Sequence, residues 1–172
     1  MSDPLVYLAH GASANAASMM PHVRGLEARG VAAQTVQLPK GNAERAVPVY
    51  LAAAPPKPNV IIGGHSFGGR VASLLVAAHQ YAGLVLLSYP LHAPGKPDRW
   101  RERTAHWSRI TCPVLLLSGD HDQFARIELL RMAVKRLADA QLVVYPGVRH
   151  GIGPQLEDAL DRIAAFARRV DG

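Results

Sequence analysis

The sequence predicts a doubly wound α/β domain, with a mostly parallel six-stranded sheet held between layers of helices. Three observations lead there. Six short apolar runs recur along the chain, and each is continuous instead of alternating, the pattern of strands covered on both faces in a parallel sheet. Stretches with the apolar spacing of amphipathic helices lie between these runs. The two kinds follow one another in strand, helix, strand order with no repeat or low-complexity block, so right-handed crossovers can lay successive strands side by side.

Taken in order, the predicted strands are Leu5 to Leu8, Ala33 to Leu38, Val60 to Ile62, Leu84 to Leu87, Val114 to Leu117 and Leu142 to Tyr145. The predicted helices are Met19 to Arg29, Glu44 to Ala53, Gly68 to Gln80, Phe124 to Ala138 and Leu156 to Arg169. AAAPPKPN at Ala52 to Asn59 reads as a helix exit and not as a domain linker. Trp100 and Trp107, seven positions apart, read as two turns of one helix packed on the sheet. In a sheet wound this way the chemistry lies beyond the carboxyl ends of the strands.

Composition narrows the class. A chain of 172 residues, 49% apolar, buries a core of its own and is expected to form one domain over residues 1–172. No segment approaches twenty uninterrupted apolar positions, which argues against a membrane span. The opening MSDPLVYLAHG carries an acid where a signal peptide carries bases. Cys112 is the only cysteine, so an intramolecular disulfide is excluded and a reducing cytoplasm is the expected location. The formal net charge of +6 raises the question of nucleic acid. Its densest stretch, KPDRWRERTAHWSR from Lys96 to Arg109, is broken by Asp98 and Glu102. It lacks RRM or zinc-finger spacing, reads as a solvated loop and helix face, and makes nucleic acid an unexpected partner.

The segment NVIIGGHSFGGRVASLLVAA holds G-x-S-x-G as Gly64, His65, Ser66, Phe67 and Gly68. An apolar strand precedes it and a helical stretch follows. This is the context in which the tight turn needs small flanking residues and leaves the serine hydroxyl exposed at a helix N-terminus. There the free amides and the helix dipole favour developing negative charge, and the Phe67 amide is a candidate oxyanion donor. A glycine-rich turn that only packs tightly, or one that binds phosphate, is the competing reading.

A serine needs a base and a group that orients the base. VLLLSGDHDQF follows the fifth predicted strand and LVVYPGVRHGIG the sixth, so Asp122 and His150 each fall in a loop at a strand's carboxyl end. The chain order is nucleophile, acid, base. Asp120 competes with Asp122 for the acid role; the extra two residues favour Asp122 because they carry the chain toward the histidine loop. In LVYLAHGASANAASMM the His10-Gly11 pair turns the backbone toward the serine. This makes the Ala12 amide the second oxyanion candidate, with His10 holding the loop. Met19 and Met20, Phe67, and the stretch from Tyr89 to His92 are candidates for lining the substrate site, each of which fits a core position equally well.

The chain resembles the α/β-hydrolase superfamily and, within it, small capless proteins allied to the dienelactone hydrolases. The resemblance spans nearly the whole chain and rests on HGAS at His10 to Ser13, GGHSFGGRVAS at Gly63 to Ser73, YPLHAPGKP at Tyr89 to Pro97, SGDHDQF at Ser118 to Phe124 and the final VRHG. Members typically begin with an antiparallel strand pair and often insert a helical lid. Here the His-Gly strand starts at Leu5, and Leu87 to Val114 is too short for a lid domain. Dienelactone hydrolases use a cysteine nucleophile where this chain has Ser66, so their substrate does not carry over.

The expected function is a serine hydrolase acting on a small-molecule ester or related acyl compound through a Ser66 acyl-enzyme. No cofactor or metal is called for, since the histidines are scattered and no GxGxxG or P-loop pattern occurs. The alternative from another class is a hydrolase-fold interaction protein whose site is unused. The sequence does not fix the oligomeric state.

Overall fold

The computed structural model describes residues 2–170. Its sheet consists of β1 (Leu5–Ala9), β2 (Ala32–Val36), β3 (Val60–His65), β4 (Gly83–Leu87), β5 (Val114–Gly119) and β6 (Ala140–Tyr145). The strands lie in the order β2-β1-β3-β4-β5-β6, and every neighbouring pair is parallel. The helices are α1 (Met20–Glu27), α2 (Ala43–Ala53), α3 (Phe67–Val76), α4 (Trp100–Arg103), α5 (Ile127–Val134) and α6 (Leu156–Val170). This is the predicted doubly wound class, with a sheet that is wholly parallel.

Continuous apolar strands arise because consecutive side chains feed two different cores. On one face Val6, Leu8, Ile61, Val85, Leu87, Leu115 and Leu117 pack with Val23 and Leu26 of α1 and with Leu160, Ile163 and Phe166 of α6. On the other, Ile62, Leu84, Leu86, Val114 and Leu116 pack with Tyr50 of α2, with Val71 and Leu75 of α3 and with Leu130 of α5. Each fully covered Leu or Ile contributes roughly 1.5–3 kcal/mol over leaving it exposed. Tyr50 adds a polar tie, because its buried hydroxyl donates to the Gly63 carbonyl at 2.6 Å and accepts from the Gly63 amide at 3.1 Å.

The chain winds outward from β1 to β2, then crosses back to β3 on the other side of β1. The loops after β1 and β3 therefore diverge from adjacent strands, the switch point at which such sheets bind ligands. Between β4 and β5 the chain makes only short helical turns, with no lid. Trp100 and Trp107, expected on one helix, lie apart: Trp100 opens the four-residue α4 and Trp107 opens a separate 3-10 turn, Trp107–Arg109. The Tyr89 hydroxyl donates to the Arg103 carbonyl at 2.6 Å, and the chain leaves helical geometry at Thr104, φ −120° and ψ 11°. Both indoles are buried all the same. No helix among the described residues is long and apolar enough to cross a membrane.

Candidate active site

β3 delivers Ser66 to the carboxyl edge of the sheet, and α3 starts at the next residue. Reversing direction in so few residues puts Ser66 at φ 50° and ψ −114°, a conformation that costs a non-glycine residue on the order of 1–3 kcal/mol. The turn is held because the Ser66 amide donates to the Leu87 carbonyl at 2.8 Å. It also requires its glycines: a Cβ on either Gly64 or Gly68 would stand 2.4 Å from the Ala9 carbonyl oxygen. The Phe67 amide opens α3 and so has no intrahelical acceptor. Ala12, from the loop after β1, lines the same cavity as Ser66 and Phe67.

Ser66, His150 and Asp122 form one hydrogen-bonded chain. The His150 Nδ1–H donates to the Asp122 carboxylate, 2.9 Å from Oδ1 and 2.8 Å from Oδ2. A neutral ring donating through Nδ1 leaves Nε2 bare, and the Ser66 hydroxyl donates to it at 2.8 Å. The Asp122 side chain is fully covered while that of His150 is 23% exposed, so the carboxylate is shielded from water while the imidazole stays accessible. Asp122 Oδ1 also accepts the Phe124 amide at 2.8 Å. Asp120 faces elsewhere. Its Oδ1 accepts from His121 at 2.6 Å and from the Gly147 amide at 2.7 Å, and these two contacts, His121 first, hold its carboxyl below the usual range.

His10 and His65 hold structure in place. His10 donates from Nδ1 to the Gly11 carbonyl at 2.7 Å and accepts the Leu38 amide at Nε2, 3.0 Å away, which pins the loop that carries Ala12. His65, next to the serine, donates from Nε2 to the His150 carbonyl at 3.1 Å. Burial pushes its pKa down, and the nearby His150 ring adds to the shift. Behind it, burial and then His65 push His22 down to about 4.

An open cavity of about 360 Å³ lies at Ser66. The serine turn contributes Ser66, Phe67 and Arg70, and the loop and first turn of α2 contribute residues 41–44. Pro90, Arg103 and Phe124 complete the wall with Ala12. Of the predicted lining residues Phe67 and Pro90 are on this wall, whereas Met19, Met20, Tyr89 and His92 are absent from it. Met19 is buried among Val6, Leu8 and Val23, and Met20 packs against the same core. Tyr89 turns inward to meet Trp107 edge-on, with ring centroids 4.9 Å apart. His92 donates to the Ala93 carbonyl at 2.9 Å and accepts the Arg126 amide at 3.0 Å. Each is an amphipathic or thioether side chain that found a partner inside the fold, so its place near the strand ends did not bring it to the cavity.

Phe124, whose ring centroid is 4.3 Å from that of His150, and Arg70 and Arg103 were not anticipated as wall residues. Arg70 had a signal, lying four residues after Ser66 on one helix face. Arg103 had none, because only the fold brings its helix across. Among the described residues no group of three His, Cys, Asp or Glu side chains is clustered to hold a metal.

A doubly wound parallel sheet, with a strained serine between strand and helix and a histidine and an acid in later strand-end loops, defines an α/β-hydrolase architecture. A family model described as an alpha/beta hydrolase domain matches residues 40–170, and the chain belongs to that family. Among solved structures it is similar to a monoacylglycerol lipase of Paleococcus ferrophilus, with TM-score 0.84 and 16% identity over 99% of this chain and 97% of that one. Est1E of Butyrivibrio proteoclasticus aligns with TM-score 0.79 and 18% identity, covering 98% of this chain and 88% of that one. A thermophilic esterase of Thermogutta terrifontis, solved with propionate bound, aligns with TM-score 0.79 and 16% identity over 98% and 84% of the two chains. At these identities the likeness is one of fold.

Proposed function

We propose that the chain is a serine hydrolase that cleaves a small ester or related acyl compound through a Ser66 acyl-enzyme. The observation that carries this reading is the unbroken hydrogen-bond path from Asp122 through His150 to Ser66, opening onto the cavity at 2.8 Å steps. In this reading His150 Nε2 takes the Ser66 proton as Oγ attacks the acyl carbon, and Asp122 holds the ring and favours the imidazolium that forms. The carbonyl oxygen gains charge in the tetrahedral intermediate. The Ala12 and Phe67 amides are the proposed donors to it, an effect worth about 2.7–4 kcal/mol per donor in comparable sites. The imidazolium then protonates the leaving alcohol, and a water activated by the same nitrogen releases the acid and restores Ser66.

No step calls on a cofactor. The similarity to a monoacylglycerol lipase and a thermophilic esterase favours an acyl substrate over the reading of an unused site. A reducing cytoplasm suits a chain whose lone cysteine, Cys112, is a free thiol.

The test is turnover of p-nitrophenyl acetate and butyrate by the wild type and by Ser66→Ala. The reading expects hydrolysis that falls by three orders of magnitude or more in the variant, with the circular dichroism spectrum unchanged. Equal rates in the two proteins would remove Ser66 from the chemistry.

A further inference from the structure

Two arginines face the cavity that opens at Ser66, and neither is hydrogen-bonded to a carboxylate. Arg70 lies four residues beyond the serine on α3, about 6 Å along the helix axis and on the same face. Arg103 arrives from the last residue of α4. Both line the cavity.

Their contacts differ from those of the structural arginines. Arg29 meets Glu157 and Asp161 at 2.8 and 2.7 Å, and Arg162 meets Asp158 at 2.7 Å. Arg70 approaches only Glu44, at 3.6 Å, beyond hydrogen-bond length, and the Glu44 side chain is 64% exposed. Among the described residues Arg103 has one hydrogen-bond acceptor, the Pro90 carbonyl at 3.0 Å, and no carboxylate. Each guanidinium carries five N–H donors in a fork that matches an oxyanion. Glu102, next to Arg103 in the chain, is paired with Arg99 at 3.2 Å, so one loosely placed carboxylate beside two such groups leaves the cavity positive. Burial and then the neighbouring Arg70 press the Arg103 pKa downward, and an anion between the two would relieve that repulsion. The net charge of +6 draws anions to the molecule at longer range.

We propose that this cavity takes an anionic substituent of the substrate, a carboxylate or phosphate held by Arg70 and Arg103, with the scissile acyl group at Ser66. The proposal rests on the reading of Ser66 as nucleophile and specifies the substrate class: esters bearing an oxyanion a few bonds from the carbonyl.

Two matched pairs of esters test it. p-Nitrophenyl hemiglutarate against p-nitrophenyl pentanoate puts the charge on the acyl side, with rates corrected for intramolecular hydrolysis. p-Acetoxybenzoate against p-cresyl acetate puts it on the leaving-group side. In one of the pairs kcat/KM for the charged ester should exceed that for its neutral match about tenfold or more, mainly through KM. That ratio should collapse in Arg70→Gln and Arg103→Gln. It should persist in Arg131→Gln, which removes the same charge from an exposed site outside the cavity. Competition by inorganic phosphate at millimolar concentration identifies phosphate as a bound chemistry, and competition by glutarate alone identifies carboxylate.

Turnover of neutral esters with no preference for the charged member of either pair would overturn the inference and leave the hydrolase reading standing. Calorimetry of the charged esters on Ser66→Ala separates the two claims in the other direction. Binding there that is lost in Ser66→Ala/Arg103→Gln upholds the anion site even if the wild type cleaves nothing, and absence of binding overturns it.

Discussion

The Nε2–H of His65 donates to the carbonyl oxygen of His150 at 3.1 Å, and the two rings lie 5.3 Å apart. The residue before the proposed nucleophile thus anchors the loop that carries the proposed base, so the two arrive at a fixed spacing. His65→Phe keeps an aromatic ring of similar bulk and removes the donor. A hydrogen bond of about 1 kcal/mol lost from the positioning of His150 corresponds to a fall in kcat of roughly five- to tenfold. KM should change little, and steady-state kinetics on any ester the wild type cleaves would show whether the loss lies in kcat.

The strained backbone of Ser66, φ 50°, gives a stability prediction independent of activity. Ser66→Gly should raise the unfolding free energy by about 1 kcal/mol, because glycine adopts that region without a Cβ clash. Ser66→Ala keeps the clash and should unfold near the wild type. Both should be inactive, and thermal unfolding of the three proteins tests the ranking.

Asp122→Asn should reduce kcat by about 10³- to 10⁴-fold, since an amide can present its NH2 to Nδ1 and hold His150 in the tautomer that cannot accept the serine proton. Asp120→Asn should leave kcat within a few-fold and act on the loop instead, weakening the contacts to His121 and the Gly147 amide. Kinetics and melting temperatures on the two variants separate these roles.

Acid should weaken the fold over a range that begins above the titration of its carboxylates. Burial pushes His22 and His106 down to about 4 from 6.5, so between pH 6.5 and 4 the unfolded chain binds protons that the folded one does not. Stability must then fall as pH falls through that window, by roughly 1 kcal/mol per pH unit for each histidine. Denaturant midpoints at pH 7 and pH 5 measure the slope. His22→Leu, which also removes the unpartnered buried Nδ1, should flatten it.

The strands were legible because the sheet is buried on both sides: Leu84 to Leu87 and Val114 to Leu117 alternate between two cores, and no polar residue interrupts either run. Ser66 was legible for a local reason, since the turn it occupies needs Gly64 and Gly68 within two residues. Where tertiary partners set the outcome the sequence was silent. The helix expected from Phe124 begins at Ile127, because Asp122 accepts the Phe124 amide and His92 the Arg126 amide, holding the intervening residues in a turn. The basic stretch from Lys96 to Arg109 reads as a solvated face, yet Arg103 is drawn to the cavity by Pro90, a contact with no trace in spacing or composition.

Labelling the folded protein with a fluorophosphonate probe at pH 7.5, and mapping the adduct by peptide mass spectrometry, decides whether Ser66 is an activated nucleophile. Rapid stoichiometric modification is expected on the peptide that contains Ser66, slowed by orders of magnitude in His150→Ala, whose serine lacks a base. No adduct at Ser66, or labelling at an equal rate without His150, would contradict it.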